Sequence, residues 1–366
     1  MNPALDYITI KGFRSIRELE KVKLGPINVL IGPNGSGKSN FVEAFALLDA
    51  LRSGKLGDYT AKHGGADCLL WFGSKMTSQV ELEVSFGDRI NGYHVELVPS
   101  VEDRFYTRRE RTWFWDKKRH PEKPFLTELQ GVDGEAGISE PAKGLSAHVQ
   151  KWLDSYRIYH FHDTSDTAPI KKMVDIDDNR FFRADGSNLA AFLYLLKKRH
   201  IGEYALVLDL VRQVAPFLQD FRLAPLALNK SKLRLEWVHR NSDRHFDVSS
   251  LSDGTLRFIC LTVLFMQPVS SRPAVIILDE PELGLHPSAI GLLAGMIKSA
   301  STRTQVVVAT QSPLLLDYFG PEDVLVAEQV EGATTLKRLE RADLNDWLEY
   351  DSLGQLWERN DLGGRP

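Results

Sequence analysis

The segment Gly32-Pro33-Asn34-Gly35-Ser36-Gly37-Lys38-Ser39 fills every fixed place of the pattern G-x-x-x-x-G-K-[ST], which leaves little freedom for the fold around it. Glycines in such a loop let backbone N–H groups wrap phosphate oxygens with no Cβ in the way, and the lysine reaches the β- and γ-phosphates. Lys38 takes that place, and Ser39 supplies a hydroxyl for Mg²⁺. The apolar run Ile27–Ile31 before the loop reads as a buried strand, and Asn40–Leu51 after it carries Phe41, Ala44, Phe45 and Leu48 at helical spacing. Strand, loop and helix in this order bring phosphates to a helix N-terminus. The pattern predicts a bound nucleoside triphosphate with Mg²⁺, cradled by Gly32 through Asn40.

The second half of this chemistry returns far downstream. Pro273–Pro281 (PAVIILDEP) reads as a buried strand ending in two carboxylates, and a doubly wound sheet places its ligands at such strand ends. In this Walker B pattern Asp279 holds Mg²⁺ together with Ser39, directly or through water, while Glu280 orients or deprotonates the attacking water. A surface Asp-Glu pair closing a strand is the bland alternative, and the glycine loop argues against it. Ahead of the strand, Leu251-Ser252-Asp253-Gly254-Thr255 opens the apolar run Leu256–Gln267, which stops at Pro268. Ser252 suits a helix N-cap. Gly254 in the first turn weakens a helix and so needs a reason, of which close approach of an anion is one.

Leu251–Thr255 resembles the signature motif of ABC-type ATPases, including the SMC, Rad and RecF branch. The resemblance implies that this helix N-terminus caps the γ-phosphate bound to an opposite subunit. Ser252 and the N–H of Gly254 would then act in trans across a head-to-head homodimer that sandwiches two ATP molecules. A narrower resemblance runs along nearly the whole chain. Ile8–Ile16, the glycine loop, Tyr159–Ser165, Asp185–Phe192, Leu251–Phe258, Leu278–Pro287, Thr310–Pro313 and the terminal Gly363–Pro366 are together similar to stand-alone prokaryotic SMC/RecF-like ATPases, relatives of OLD-type nuclease heads and of several phage-defence ATPases. This implies an α/β P-loop NTPase: an ABC/SMC-type ATPase head with an antiparallel β lobe and an inserted helical lobe carrying the signature motif. It also implies ATP and Mg²⁺ as ligands and a separate Toprim-like nuclease or other effector as partner.

Departures from the ABC pattern fall at informative places. Gln311, after Thr304–Ala309, stands where a switch histidine is expected; an amide can hold a phosphate-bound water but cannot titrate, which predicts slow turnover. His286 occupies the D-loop aspartate position, which puts communication between two sites in doubt. Tyr156–Phe161 alternates as a strand that delivers His160 and His162 to one face. By position His162 or Asp163 could replace the Q-loop glutamine; a polar strand face and a metal site are the alternatives.

The remaining sequence divides as one composite head. Residues 1–100 and 268–340 form the nucleotide-binding core with its β lobe, in which Tyr7–Ile10, Gln79–Phe86 and Tyr93–Val98 alternate as strands. Lys11, Arg14 and Ser15 lie at the bend after the first strand, where all three, Arg14 foremost, are candidates for base or ribose contact; ordinary solvated turn charges are the alternative. Residues 101–150 read as a hairpin insertion: Arg104–Lys123 mixes Lys and Arg with Phe105, Tyr106, Trp113, Phe114 and Trp115, which suits either DNA or RNA contact or a solvated hairpin, and Gln130–Lys143 follows as a mobile loop. Residues 185–267 hold two amphipathic helices, Ser187–Arg199 and Glu203–Phe217, and the signature helix; 341–366 form a C-terminal helix broken at Gly354, then a tail. No heptad repeat marks a coiled-coil arm. No apolar run approaches the ~18 residues of a membrane span, Met1–Ile10 lacks a secretion signal, and the formal charge of −4 gives no global pull toward nucleic acid, so a cytoplasmic setting is expected. Cys68 and Cys260 are expected to be reduced core thiols. The leading expectation is an ATP-driven dimerisation switch in DNA repair or phage defence; the alternatives are the nucleotide-binding subunit of a membrane transporter, or an ATP-binding scaffold with negligible turnover.

Overall fold

A computed structural model describes residues 4–364, apart from the side chain of Asn345, and so leaves Arg365 and Pro366 of the terminal motif and Met1–Pro3 outside the description. The chain opens with β1 (Leu5–Phe13) and β2 (Ile16–Lys23), then enters β3 (Ile27–Ile31), buried throughout, and the glycine loop delivers α1 (Lys38–Arg52). Short helices α2 (Leu56–Lys62) and α3 (Ala66–Leu69) lead to β4 (Val80–Phe86), β5 (Asn91–Pro99), β6 (Phe105–Phe114) and β7 (Phe125–Glu128). Helix α4 (Gly144–Leu153) crosses to β8 (Tyr156–Tyr159). The helical lobe follows: β9 (Val174–Asp175), α5 (Leu189–Arg199), α6 (Ile201–Val214), β10 (Leu218–Arg222), β11 (Lys232–Leu233), β12 (Glu236–His239), β13 (His245–Asp247) and α7 (Asp253–Met266). The chain then returns through β14 (Val275–Asp279), α8 (Pro287–Ser301), β15 (Gln305–Ala309), α9 (Pro313–Leu316), β16 (Val324–Val330) and β17 (Ala333–Arg338) to α10 (Arg341–Leu348) and α11 (Leu353–Glu358).

Two six-stranded sheets carry the molecule. The first runs β2-β1-β4-β5-β6-β7, antiparallel at every step. The second runs β17-β16-β3-β15-β14-β8 and is parallel except at its β17 edge. Side chains on a strand alternate between faces, and the second sheet uses both. Val29, Ile276, Leu278, Val306 and Val308 join the core shared with α7, α8 and the helical lobe. Leu30, Val275, Ile277, Val307 and Ala309 point the other way, into the core shared with α1 and the antiparallel sheet. A sheet covered on both faces needs unbroken apolar strands, which is what Val275–Leu278 and Val306–Ala309 supply.

Several expectations require correction. The basic and aromatic segment does form a hairpin, β6 with β7, but one built into the antiparallel sheet, where β6 pairs with β5 from Phe105 to Phe114. Gln130–Lys143 is pinned rather than loose. Within it Ala136 and Ile138 are fully buried, the Gly137 and Ile138 N–H groups donate to Glu110, and Glu135 accepts from the N–H groups of Leu56 and Gly57. Burial pushes the Glu110 carboxyl up, against the lowering pull of the Tyr93 hydroxyl and those two backbone donors. Cys260 is buried, but Cys68 is exposed. Lys11 lies within β1 and pairs with Glu18 and Glu20. Gly354 sits inside α11, where its N–H donates to Asp317, and the break precedes it at 349–352. A small antiparallel sheet, β10-β12-β13, also lies in the helical lobe.

Candidate nucleotide site

The glycine loop is built by contacts that reach across the chain. Gly37 adopts φ 98°, and a Cβ there would strike the Thr334 and Ser15 hydroxyls, so only glycine fits. Those hydroxyls lie 2.7 Å apart; Asn40 donates to Ser15 at 2.6 Å, and Thr334 donates to the Ser36 carbonyl at 3.0 Å. Asn40 is therefore engaged in bracing the loop. Lys38 closes the loop on itself, its Nζ donating to the carbonyls of Gly32 (2.6 Å) and Pro33 (2.9 Å). Burial lowers the Lys38 ammonium below the usual lysine range, while the charges of Glu280, Asp279 and Glu282 pull it back up. The pocket here, about 200 Å³, is lined by Asn34, Gly35, Gly37, Lys38, Ser39 and Asn40 on one side and by Glu280 and Gln311 on the other. Arg14 is not part of it: its guanidinium sits 5.8 Å from the Phe13 ring centre and beside the Tyr59 hydroxyl.

Asp279 ends β14 next to Ser39, whose hydroxyl bonds its carboxylate, while its Oδ1 is buried without a hydrogen-bond partner. Burial raises the Asp279 carboxyl, and His160 and His162 nearby pull it down. A buried carboxylate oxygen with no donor, beside a serine hydroxyl, fits a hard divalent cation that draws its other ligands from phosphate and water. Ser39 and Asp279 are the residues that would hold Mg²⁺, which would neutralise charge on the β- and γ-phosphate oxygens. Among the described residues no cluster of three or more His, Cys, Asp or Glu is placed to hold a metal by itself.

Glu280 follows with φ 44°, a left-handed conformation that a non-glycine residue rarely adopts, fixed by its N–H donating to the Ala309 carbonyl at 2.8 Å. The Gln311 amide reaches across and hydrogen-bonds its carboxylate. Beneath them lies Glu282, a residue that motif reading passes over. It is buried, accepts from the Thr310 hydroxyl and from the Gln311 N–H (3.3 Å), and keeps one oxygen without a partner. Burial raises its carboxyl. Glu282 thus ties the exit of β15 to the loop after β14.

The signature turn stands beside this loop. Ser252 caps α7, its hydroxyl accepting from the Thr255 N–H at 3.2 Å. Gly254 is explained within the chain, because a Cβ there would collide with the Gly284 carbonyl. Arg257, one turn on, donates to the carbonyls of Phe161 (3.1 Å), His162 (2.9 Å) and Leu283 (2.7 Å). The strand before His162 ends at Tyr159, yet the His160 and His162 rings still lie 6.3 Å apart. Asp163 is occupied locally, bonded to Ser165. His286 caps α8 and also contacts the Ser288 hydroxyl at 2.9 Å.

A sequence model of the family described as "AAA domain, putative AbiEii toxin, Type IV TA system" matches residues 27–317. The chain belongs to this family. The AAA-domain match begins at β3 and ends with α9, and so encloses the glycine loop, Asp279, Glu280, the signature turn and Gln311. It identifies the chain as a P-loop ATPase. The DNA replication and repair protein RecF of Magnetococcus marinus is 50% identical over 50 residues, a match that spans 13% of this chain and 13% of that protein. The fold of this AAA-domain chain resembles an SMC head bound to the C-winged helix domain of ScpA, with a TM-score of 0.63 at 17% identity over 93% of this chain and 99% of that one. An SMC head with an extended coiled coil from Pyrococcus furiosus, bound to the C-terminal domain of ScpA, gives 0.61 at 16% identity over 95% and 99%. At these identities the likeness is one of fold. Among the described residues no helix is long and apolar enough to cross a membrane.

Proposed function

We propose that this ABC/SMC-like ATPase works as an ATP-driven dimerisation switch, with Mg²⁺ held by Ser39 and Asp279, acting on nucleic acid in repair or phage defence together with a separate effector. One observation carries the reading. Lys38, Ser39, Glu280 and Gln311 converge on a single pocket, while the exposed Ser252 turn is fastened by Arg257 to the loop behind Glu280. In this scheme Lys38 leaves the loop carbonyls for phosphate, Glu280 accepts a proton from the attacking water, and Gln311 orients that water through its amide. Ser252 and the Gly254 N–H cap the γ-phosphate of a second copy, completing a site that one chain does not form alone. The family's toxin–antitoxin description supports a defence role, and the short RecF match supports a nucleic-acid target.

Substitution at the base and at the lysine tests the scheme. Glu280→Gln should form a stable dimer with ATP and Mg²⁺, seen as a doubled mass by light scattering, and Lys38→Ala should bind no ATP. A Glu280→Gln chain that stays monomeric at saturating ATP removes the switch. A second reading, a scaffold with negligible turnover, is favoured by the Gln311 amide already engaging the Glu280 carboxylate; steady-state phosphate release separates the two.

A further inference from the structure

We infer that the outer face of the antiparallel sheet carries a groove for single-stranded nucleic acid, centred on Tyr7, Trp113 and Trp115 and on the cations Lys21, Arg89 and Arg111. Ladder pairing sets one row of side chains across five strands: Tyr7 opposite Ser85, Ser85 opposite Gly92, Gly92 opposite Trp113, and Trp113 opposite Leu126. This row alternates with Ile8, Val84 and Tyr93, which enter the core, so it faces away from it. Between Tyr7 and Trp113 the row is small. A Cβ at Gly92 would run into the Trp113 indole, so that ring lies down over the glycine. The result is a pocket of about 350 Å³.

Its charges are out of balance. Lys21 and Arg89 approach the Tyr7 ring centre at 6.0 Å and 5.9 Å, and Arg111 lines the same pocket. None of the three side chains forms an ion pair among the described residues, although Asp6 accepts from the Arg89 N–H and the Lys21 charge acts on Glu20, whereas Lys11, Arg109 and Lys117 of the same lobe pair with Glu20, Glu128 and Asp88. The pocket's one acid, Glu83, is taken by the Tyr7 hydroxyl at 2.7 Å. Tyr7 and Trp113 are buried and form the floor, so the half-buried Trp115 is the ring a base would stack on, and cations free of side-chain ion pairs beside it suit a phosphate and an unpaired base together. A duplex keeps its base faces stacked and has nothing to offer that ring.

This site takes its partner class from the proposed function but does not depend on dimer closure, so binding is measured on the nucleotide-free full chain. The probe is a short fluorescein-labelled oligothymidylate read by anisotropy, with the same length of duplex and a peptide of alternating Glu and Tyr as competitors. Lys21 and Arg89 are exposed, so the Lys21→Ala/Arg89→Ala chain should keep the wild-type Tm. It should lose about 25-fold in affinity near 0.1 M salt, with the log–log salt slope falling by about 1.4, the share of two phosphate contacts. Trp115→Ala should lose about fivefold or more and keep the slope. An unchanged slope in the double variant, equal binding of duplex, or displacement by the peptide but not by unlabelled oligothymidylate overturns the groove. ATP-dependent dimerisation of Glu280→Gln, measured separately, is unaffected by any of these results.

Discussion

At the scale of single residues, the site is a set of carboxylates given different tasks by their surroundings. Asp279 faces Ser39, Glu280 is held in a left-handed turn facing Gln311, and Glu282 is buried beneath both, tied to Thr310 and to the Gln311 N–H. Removing Glu282 frees the Gln311 segment without touching the phosphate loop. Glu282→Ala should therefore lower kcat on the order of 10²-fold, the scale of a misplaced catalytic group, with the Kd for ATP unchanged. Glu282→Gln keeps an acceptor for Thr310 and should recover part of that loss. A Kd for ATP that rises in step with the fall in kcat would assign Glu282 to nucleotide binding instead. That Lys38, Ser39, Asp279 and Glu280 lie together could be read from sequence because the glycine loop and the acidic strand end are each marked by neighbours in the chain. Glu282, Thr334 and Arg257 could not, because each acts through a backbone group or hydroxyl supplied by another element.

Between elements the decisive contacts are close backbone approaches and buried caps. The signature helix α7 meets the loop after β14 at Gly254, with no room for a methyl group against the Gly284 carbonyl. Gly254→Ala should cost about 1–3 kcal/mol as overpacking, read as a lower urea midpoint with an unchanged m value. A neutral substitution would mean that the two elements separate freely. The same contact shows why a glycine in a first turn is ambiguous in sequence: an anion and a neighbouring carbonyl impose the same demand. Strand β3 and helix α1 were legible because apolar period and glycine punctuation agree there. Residues 130–143 were not, since their order comes from Glu110 and from the N-terminus of α2, partners that composition does not reveal. Strands β10, β12 and β13, of five, four and three residues, are too short for alternation to register.

On the scale of the whole molecule, the parallel sheet joins two lobes through opposite faces of the same strands, so the glycine loop and the signature turn are carried on one body, and the proposed switch assigns them to different sites. In the proposed two-fold dimer, the loop of one copy meets the turn of the other, and symmetry repeats that contact at a second site. This arrangement makes defects complementary. A Lys38→Ala chain keeps a sound signature turn, and a Ser252→Arg chain keeps a sound phosphate loop; Ser252 is exposed, so the larger side chain is tolerated by the fold. Neither chain alone should hydrolyse ATP. Mixed in equal amounts, they should recover about a quarter of wild-type phosphate release, because random pairing puts half the dimers in the mixed form and each mixed dimer has one complete site of two. Activity no greater than the sum of the separate variants would show that the Ser252 turn serves its own chain, and the sandwich would have to be abandoned while the pocket around Lys38 and Glu280 stands.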